Sequence, residues 1–190
     1  MLATRLTYVS RGPRPAQGFS LIEMITVLAI AAILVGIALP NFREFNRRSN
    51  VTEINNSLVT AINLARAEAV KRGRSVAVVS TSGGSDWSTG WSVIVDDNNN
   101  GSFTDASDSK LQARATVDVN NYKVTTKATG SGGADKQLTF GIAGTMGLGT
   151  KFDINVCRNG EPAKSKHIVI TASGMTSSYS DVAGSPAPTC

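Results

Sequence analysis

A glutamate inside a long apolar run is the residue of this 190-residue chain whose chemistry most needs a partner. Glu23 lies near the start of residues 21–39, a stretch that is otherwise broken only by Thr26. A charged side chain at the centre of a membrane costs roughly 2.5–3.5 kcal/mol or more. Nothing in the stretch supplies a cation, so we expect Glu23 to meet a positive group outside its own helix.

A second set of polar residues has the spacing of a calcium loop. Asp96, Asn98, Asn100 and Gly101 match the opening of an EF-hand, but the position that should hold a bidentate glutamate is Ser107. Clusters of Asp, Asn and Gly also form tight turns, because these residues accept left-handed backbone angles. The sequence favours a plain turn and leaves calcium as an alternative.

The elements that position these residues begin with a basic leader. Arg5, Arg11 and Arg14 precede the apolar run, no acidic residue accompanies them, and they supply three of the five formal net charges. A membrane-spanning helix needs about 20 apolar residues, so residues 21–39 can span. Positive charge before the span favours a cytoplasmic N-terminus and an exported C-terminal domain.

One long helix is predicted from about Ser20 to Arg72, ending at Gly73. After the apolar run, its apolar residues recur at three- and four-residue steps, which describes one buried stripe. Pro40 lies inside the helix and removes a backbone hydrogen bond, so we expect a kink or a melted turn over residues 36–40.

From residue 74 onward the pattern is typical of β-structure, with short β-branched runs between Gly, Ser, Asn and Asp clusters. We expect residues 179–190, which contain two prolines, to lack regular structure unless a disulfide holds them. One long helix packed on an antiparallel sheet makes the fold class α+β. The predicted strands are 76–80, 91–95, 112–117, 122–126, 137–140, 152–157 and 167–171.

The chain contains two cysteines, Cys157 and Cys190, both in the domain predicted to lie outside the cytoplasm. An even count in an oxidising compartment favours one disulfide over two free thiols. Two cysteines and the single His167 are too few for a structural zinc site. We expect His167 to be a hydrogen-bonded strand residue, and we expect Trp87 and Trp91 to pack in the interior rather than form a binding platform.

The N-terminal motif resembles that of a type IV prepilin. In that family a peptidase cuts after the glycine, here Gly18, and methylates the new N-terminal residue, here Phe19. The resemblance implies that Glu23 pairs with the N-terminal amine of a neighbouring subunit in the fibre. The alternatives are a signal anchor and a secretory signal cut near Gly36 and Ala38, but neither requires these three residues at these places.

The rest of the chain resembles the GspH/FimT group of pilin-like proteins, in residues 67–70 and 91–101. Residues 155–160, 168–170 and 173–174 are similar to minor pilins of the FimU type. The resemblance implies three regions: a leader (1–18), a membrane and fibre-core helix (19–45) and a globular pilin domain (46–190). It also implies an inner-membrane precursor, a place in an extracellular fibre, and prepilin peptidase, other minor pilins and the major pilin as partners.

The function that this resemblance implies is that of a minor pilin, which helps to prime pilus assembly and links other minor pilins to the major pilin near the tip. One alternative is a minor pseudopilin of a type II secretion system. Another is a FimT-like DNA-binding pilin, but Gly174 is followed by no arginine, and Arg158, Lys164 and Lys166 form at most a small basic patch. No catalytic motif, cofactor or resident metal is expected, and nucleic acid is not the expected partner.

Overall fold

The structure is a computed structural model that describes residues 18–130, 134–146, 150–159, 161 and 164–180. The leader before Gly18 and the C-terminal residue Cys190 therefore lie outside the described residues. The chain divides into two compact units, Met1–Glu44 and Phe45–Cys190.

A single helix, α1, runs from Leu21 to Arg72. Ser20 caps its start, because the Ser20 hydroxyl accepts the backbone N–H of Glu23 at 3.3 Å. At the other end Gly73 has a φ of 61°, and the N–H of Arg74 donates to the carbonyl of Ala69 at 3.3 Å. This six-to-one bond is the Schellman arrangement that closes many helices, so the predicted stop at Gly73 is confirmed.

The helix passes through Pro40 without interruption. A proline removes one backbone hydrogen bond and crowds the preceding turn, yet a long helix tolerates one such position at a cost of about 3 kcal/mol. The melted turn predicted for residues 36–40 is therefore wrong for this structure. The kink expected over the same residues stays a prediction.

The boundary between the two units falls inside α1. Residues 21–44 are called the N-terminal half of the helix below, and residues 45–72 its C-terminal half. The C-terminal half buries one stripe, as its spacing of three and four residues predicted, and this burial supplies most of the stability that an isolated helix lacks in water. The buried residues are Val51, Ile54, Asn55, Leu58, Ala61, Ile62, Ala65 and Ala69.

Asn55 is the polar member of the buried stripe. Its side-chain oxygen accepts the Ser178 hydroxyl at 2.9 Å, so the helix is bonded to a residue 123 positions further along the chain. A buried amide that is hydrogen-bonded in this way avoids the desolvation cost of an unpaired one.

Eight strands follow the helix and form two antiparallel sheets of four strands each. The first sheet has the order β3-β2-β1-β5 and the second the order β4-β6-β7-β8. The strands are β1 (Val76–Ser80), β2 (Trp91–Val95), β3 (Ser109–Arg114), β4 (Tyr122–Thr129), β5 (Gln137–Phe140), β6 (Lys151–Arg158), β7 (Lys166–Ile170) and β8 (Thr176–Ser180).

Both sheets and the buried stripe of α1 contribute to one apolar cluster. On the second sheet, every second residue contributes to this cluster: Phe152, Ile154 and Val156 of β6, together with Ile168 and Ile170 of β7. The α+β class is confirmed, with two antiparallel sheets in place of the single sheet expected from the sequence.

Several predicted strand bounds need correction. β4 extends to Thr129 rather than 126, β6 is one residue longer at each end, and β7 lies one residue earlier. The third strand lies at Ser109–Arg114 rather than 112–117, because Arg114 pairs with Trp91, the first residue of β2, so residues 115–117 have no β2 residue opposite them. Val117 was included in the predicted strand because it is β-branched. It is buried but lies outside β3, and its backbone N–H donates a hydrogen bond to the Ser88 carbonyl.

The eighth strand was not predicted at all. Thr176–Ser180 is almost wholly polar and carries no β-branched run, so its composition gives no strand signal. It forms because its backbone pairs with β7, from Ile170↔Thr176 to Lys166↔Ser180. Tyr179 and Ser180 therefore belong to a strand. They were expected to lack regular structure only without a disulfide, and Cys157 is disulfide-bonded. Residues 181–190 lie outside the described part of the chain.

Candidate assembly site

The N-terminal end of α1 places Phe19 and Glu23 on the surface. Phe19 lies one residue before the capping serine and is 79% exposed. Glu23 occupies the third helical position after Ser20, where a carboxylate is favoured by the positive end of the helix dipole. Residues 20–23 thus form a capping-box sequence, a helix-start signal that the chain carries in addition to the processing motif.

Glu23 has no cation within ion-pair distance among the described residues, unlike the helix carboxylates Glu53 and Glu68. The nearby Thr26 hydroxyl is satisfied inside the helix, because it donates to the Ile22 carbonyl at 2.7 Å. An ionised carboxylate has no proton to donate and cannot use a helix carbonyl in this way. The geometry thus leaves Glu23 available to a positive group from another molecule.

The apolar side chains around Glu23 are also exposed. Each large apolar residue from Phe19 to Leu39 is at least half exposed in the structure. The helix contains an 18-residue window with a mean hydropathy of 2.6, of which nothing is buried, so it is long and apolar enough to cross a membrane. Exposed apolar surface on this scale marks a membrane-facing or subunit-facing surface.

Cys157, one of the two predicted disulfide partners, lies on β6 and is buried. It is disulfide-bonded rather than a free thiol. Cys190 lies outside the described residues, so the pairing of Cys157 with Cys190 stays a prediction.

The candidate calcium residues build a hydrogen-bonded turn. Both carboxylate oxygens of Asp96 accept backbone N–H groups, from Asn100 at 3.1 Å and Gly101 at 2.8 Å. The side-chain oxygens of Asn98 and Asn100 also accept backbone N–H groups. Asn99 and Gly101 have φ values of 58° and 78°, the left-handed angles that these residue types tolerate.

The same turn satisfies Asp105. Its carboxylate accepts the side-chain amides of Asn100 at 2.5 Å and Asn98 at 3.2 Å. These bonds, first the one from Asn100, hold the pKa of Asp105 below its ordinary value. In the described part of the chain, no group of three or more His, Cys, Asp or Glu side chains is placed to hold a metal ion.

The small basic patch considered for DNA is partly neutralised. Arg158 is buried and pairs with Glu161 at 3.1 Å, while Lys164 pairs with the other oxygen of Glu161 at 2.6 Å. Lys166 is half-buried at the start of β7. Two of the three cations therefore share one carboxylate, and these three do not make the row of exposed cations that follows a phosphate backbone.

The remaining candidates have the structural roles expected of them. His167 lies on β7, and its Nε2 is 3.1 Å from the Asp153 carboxylate. Trp87 and Trp91 are fully buried, and the Trp87 ring packs against Phe152 with centroids 5.8 Å apart. The Trp87 indole N–H donates to the Asp135 carbonyl at 3.0 Å, so its polar atom is satisfied in the interior.

Arg66 makes long-range contacts that sequence reasoning missed. Its guanidinium donates to the carbonyls of Gly144 at 3.0 Å and Gly174 at 3.2 Å, which lie 78 and 108 residues away in the chain. It thereby ties the loop after β5 and the turn before β8 to the helix. No local pattern could have indicated this, because an arginine on a helix surface is usually solvated.

Comparison with known protein families gives two matches along the chain. Residues 55–174 match the family described as Type II transport protein GspH, which covers more than half of the chain. Residues 13–39 match the prokaryotic N-terminal methylation motif, which includes Gly18, Phe19 and Glu23.

Relatives and solved structures agree with these matches. A fimbrial protein of Pseudomonas aeruginosa is 30% identical over 105 residues, covering 53% of this chain and 68% of its own length. The type IV major pilin PilA of Myxococcus xanthus is 46% identical over 50 residues, 26% of this chain and 23% of PilA.

Two crystal structures of the type IV minor pilin FimU from Pseudomonas aeruginosa share the fold. They superpose with TM-scores of 0.51 and 0.54 at 22% and 21% identity. They cover 74% and 77% of this chain and 96% of each FimU chain. This likeness confirms a pilin-like fold for the part of the chain that the FimU structures cover.

Proposed function

This chain belongs to the GspH family of pilin-like proteins, and we propose that it serves as a minor subunit of a type IV pilus. The alignment with a fimbrial protein, which covers 68% of that protein, is the observation that favours a pilus over a secretion system. The family consists of structural assembly proteins, which fits a mechanism based on packing rather than catalysis.

The order of segments along the chain suggests how such a subunit is processed. A prepilin peptidase would cut between Gly18 and Phe19 and methylate the new amine of Phe19. Before assembly, the apolar N-terminal half of α1 would anchor the protein in the inner membrane as a single span, with the globular domain in the periplasm. The leader arginines favour that orientation, because positive residues stay on the cytoplasmic side.

In the fibre, the same exposed apolar helix would pack among the helices of neighbouring subunits. Glu23, which has no cation among the described residues, would pair with the N-terminal amine of an adjacent subunit. A buried carboxylate is tolerated when a cation meets it, and removing one partner of such a pair costs about 3–5 kcal/mol. That cost would make the pair a device for setting helix register during assembly.

The globular domain would supply the specific contacts. We propose that it helps to prime assembly and links other minor pilins to the major pilin near the tip, with residues 19–45 in the fibre core and residues 46–190 on the outside. The folded domain supports this role because its apolar interior is formed within the chain, so its polar surface is available for unlike partners.

A minor pseudopilin of a type II secretion system is the second candidate. The family match favours it, since that family is described by a type II transport protein and spans residues 55–174. Both roles use the same leader, helix and fold, so the discrimination must come from what the cell loses without the protein.

Deletion of the gene in its own host tests the two roles together. The pilus role predicts that cells lose surface pili, counted by electron microscopy, while secretion of type II substrates into the medium stays at the wild-type level. Re-expression of the wild-type chain should restore the pili. Loss of secretion with normal piliation would transfer the protein to the secretion system and overturn the proposal.

A further inference from the structure

A cationic groove opens between α1 and the end of the second sheet. Its volume is about 580 Å³, and none of the predicted processing or disulfide residues lines it. The groove is lined by Arg48, Val51, Thr52, Lys164, Ser165, Lys166 and Ser180.

Three elements bring cations to this groove. Arg48 comes from α1, where it shares a face with Val51 and Thr52 at the helical spacing of three and four residues. Lys164 comes from the turn before β7, and Lys166 is the first residue of β7 itself. Positive groups from separate elements therefore converge on one concave surface.

Lys166 occupies an unusual position for a lysine. Val156 and Ser180 are its partners on the neighbouring strands, so it shares the core-facing side of β7 with Ile168 and Ile170. It is half-buried, and among the described residues it forms no ion pair. A half-buried lysine that forms no ion pair with the described residues can form a charge-assisted hydrogen bond with an anion from another molecule.

The Glu161 carboxylate pairs with the lining residue Lys164 rather than with Lys166. Glu161 bridges Arg158 and Lys164, so one negative charge already serves two cations before Lys166 is counted. The Ser180 hydroxyl lines the groove and can donate to an anion, whereas the Thr52 hydroxyl already donates to the Arg48 carbonyl at 3.0 Å. The chemistry of the site thus fits a carboxylate-bearing ligand.

We propose that this groove receives an acidic segment of a neighbouring pilin subunit, of which one carboxylate pairs with Lys166. The inference rests on the proposed function as a pilus subunit and names the chemistry of one contact. Charge complementarity carries it. A nucleic acid fits less well, because its evenly spaced phosphates would also meet Glu161, and a recessed groove reaches few of them.

Photo-crosslinking in assembled fibres tests the occupant directly. A photoreactive amino acid replaces Ser180 in the full-length chain, pili are sheared from irradiated cells, and the crosslinked peptides are identified by mass spectrometry. We expect a peptide rich in Asp or Glu from another pilin. The same substitution at Thr104, on the exposed loop after Gly101, serves as the positional control. A crosslink to lipid, to nucleic acid or to a segment without acidic residues would overturn the proposal.

A binding measurement adds a test of the charges. The full-length chain in detergent micelles is titrated at low salt with an acetylated triglutamate peptide, and separately with inorganic phosphate and with duplex DNA. Lys166→Met should weaken peptide binding by at least about tenfold, the scale expected for a partly buried charge pair. Lys110→Met, an exposed lysine on β3, should leave it unchanged. Absence of peptide binding, or preference for phosphate or DNA, contradicts the proposal.

The failure of this inference can be told apart from failure of the proposed function. If Lys166→Glu enters pili as well as the wild-type chain does, the groove has no assembly role while the pilus role stands. If the wild-type chain itself is absent from pili, the proposed function fails first.

Discussion

The two halves of α1 share one backbone but meet different surroundings. In the N-terminal half the large apolar side chains, from Leu21 to Leu39, are all at least half exposed. In the C-terminal half a stripe from Val51 to Ala69 is buried to 3% exposure or less. The C-terminal half buries its apolar side chains within the chain. The N-terminal half can bury its apolar side chains only in a membrane or against other helices.

This difference separates assembly from folding along a single helix. A substitution in the C-terminal half removes packing that the domain needs for its own stability. A substitution in the N-terminal half leaves the domain intact and changes only what the exposed helix can join. Variants of each half should therefore affect different measurements, and the largest effect is expected at Glu23.

Loss of the Glu23 carboxylate should abolish incorporation into fibres. If Glu23 pairs with the N-terminal amine of a neighbour, as proposed, leaving that amine buried without its carboxylate costs about 3–5 kcal/mol, more than a hundredfold in the association equilibrium. Glu23→Gln should therefore reduce the amount of this subunit in sheared pili to near the detection limit, measured by quantitative immunoblotting against whole-cell levels.

The matched control is Thr26→Val, one turn further along the same exposed surface. It removes a hydroxyl that is already satisfied inside the helix, so incorporation should stay near the wild-type level. Equal incorporation of Glu23→Gln and the wild-type chain would show that the carboxylate has no partner in the fibre.

Truncating one leucine in each half of the helix should separate their contributions to stability. Leu58 is fully buried, so Leu58→Ala should lower the free energy of unfolding of the globular domain by about 2–5 kcal/mol. Leu28 is 63% exposed, and Leu28→Ala should leave that free energy unchanged. Both values come from denaturant unfolding of the full-length chain in detergent, followed by tryptophan fluorescence. A comparable loss of unfolding free energy in the two variants would contradict the proposed separation of the two helix halves.

Arg66, in the C-terminal half of α1, also hydrogen-bonds to two distant turns. Substitutions at two glycines test how rigidly the turn before β8 is held. Gly174 has a φ of 78°, and an added Cβ would lie 2.4 Å from the Gly144 carbonyl oxygen. Gly83 has a similar φ of 74° and no atom within 4 Å of an added Cβ. Gly83→Ala should cost about 1 kcal/mol, and Gly174→Ala about 2–4 kcal/mol, since only the latter adds overpacking.

Equal costs for the two glycine variants, measured by denaturant unfolding, would show that the turn before β8 can move away from the Arg66 contact. That outcome would contradict the expectation that Arg66 holds this turn rigidly against the helix.

Acid should have a smaller effect, at the carboxylates whose pKa is lowered by partners inside the chain, of which Asp105 is one. Hydrogen bonds from Asn100 and Asn98 lower the pKa of Asp105 in the folded state. Its contribution to stability is therefore present above the pKa of the unfolded chain and lost as the pH falls through the folded value. The protection factors of amides in the Asp96–Asp108 turn, from hydrogen exchange, should fall below that value. Asp105→Asn should reduce this pH dependence, and the part that persists comes from Asp97, whose pKa is also lowered.

Much of the architecture was predictable because local signals agreed with the tertiary outcome. Ser20 and Gly73 mark the helix ends by capping chemistry, and three strands, β1, β2 and β5, have the bounds that their β-branched or aromatic runs predicted. The methylation motif that covers residues 13–39 follows from residue types in a fixed order.

What could not be predicted depends on contacts between distant segments. The polar strand β8 exists only because β7 offers it a backbone partner, and Arg66 reaches carbonyls far away in the chain. The division into two sheets is likewise a matter of which strands meet, which a list of strands does not contain. Lys166 shows the same limit, since its core-facing position follows from register rather than residue type.

Mass spectrometry of pili sheared from the native host tests the central claim most directly. If the N-terminal half of α1 is a fibre-core element, the purified fibres should contain this chain with an N-terminal peptide that begins at methylated Phe19, in smaller amounts than the major subunit. Absence of the chain from the fibres, or its presence with the leader before Gly18 still attached, would contradict the account.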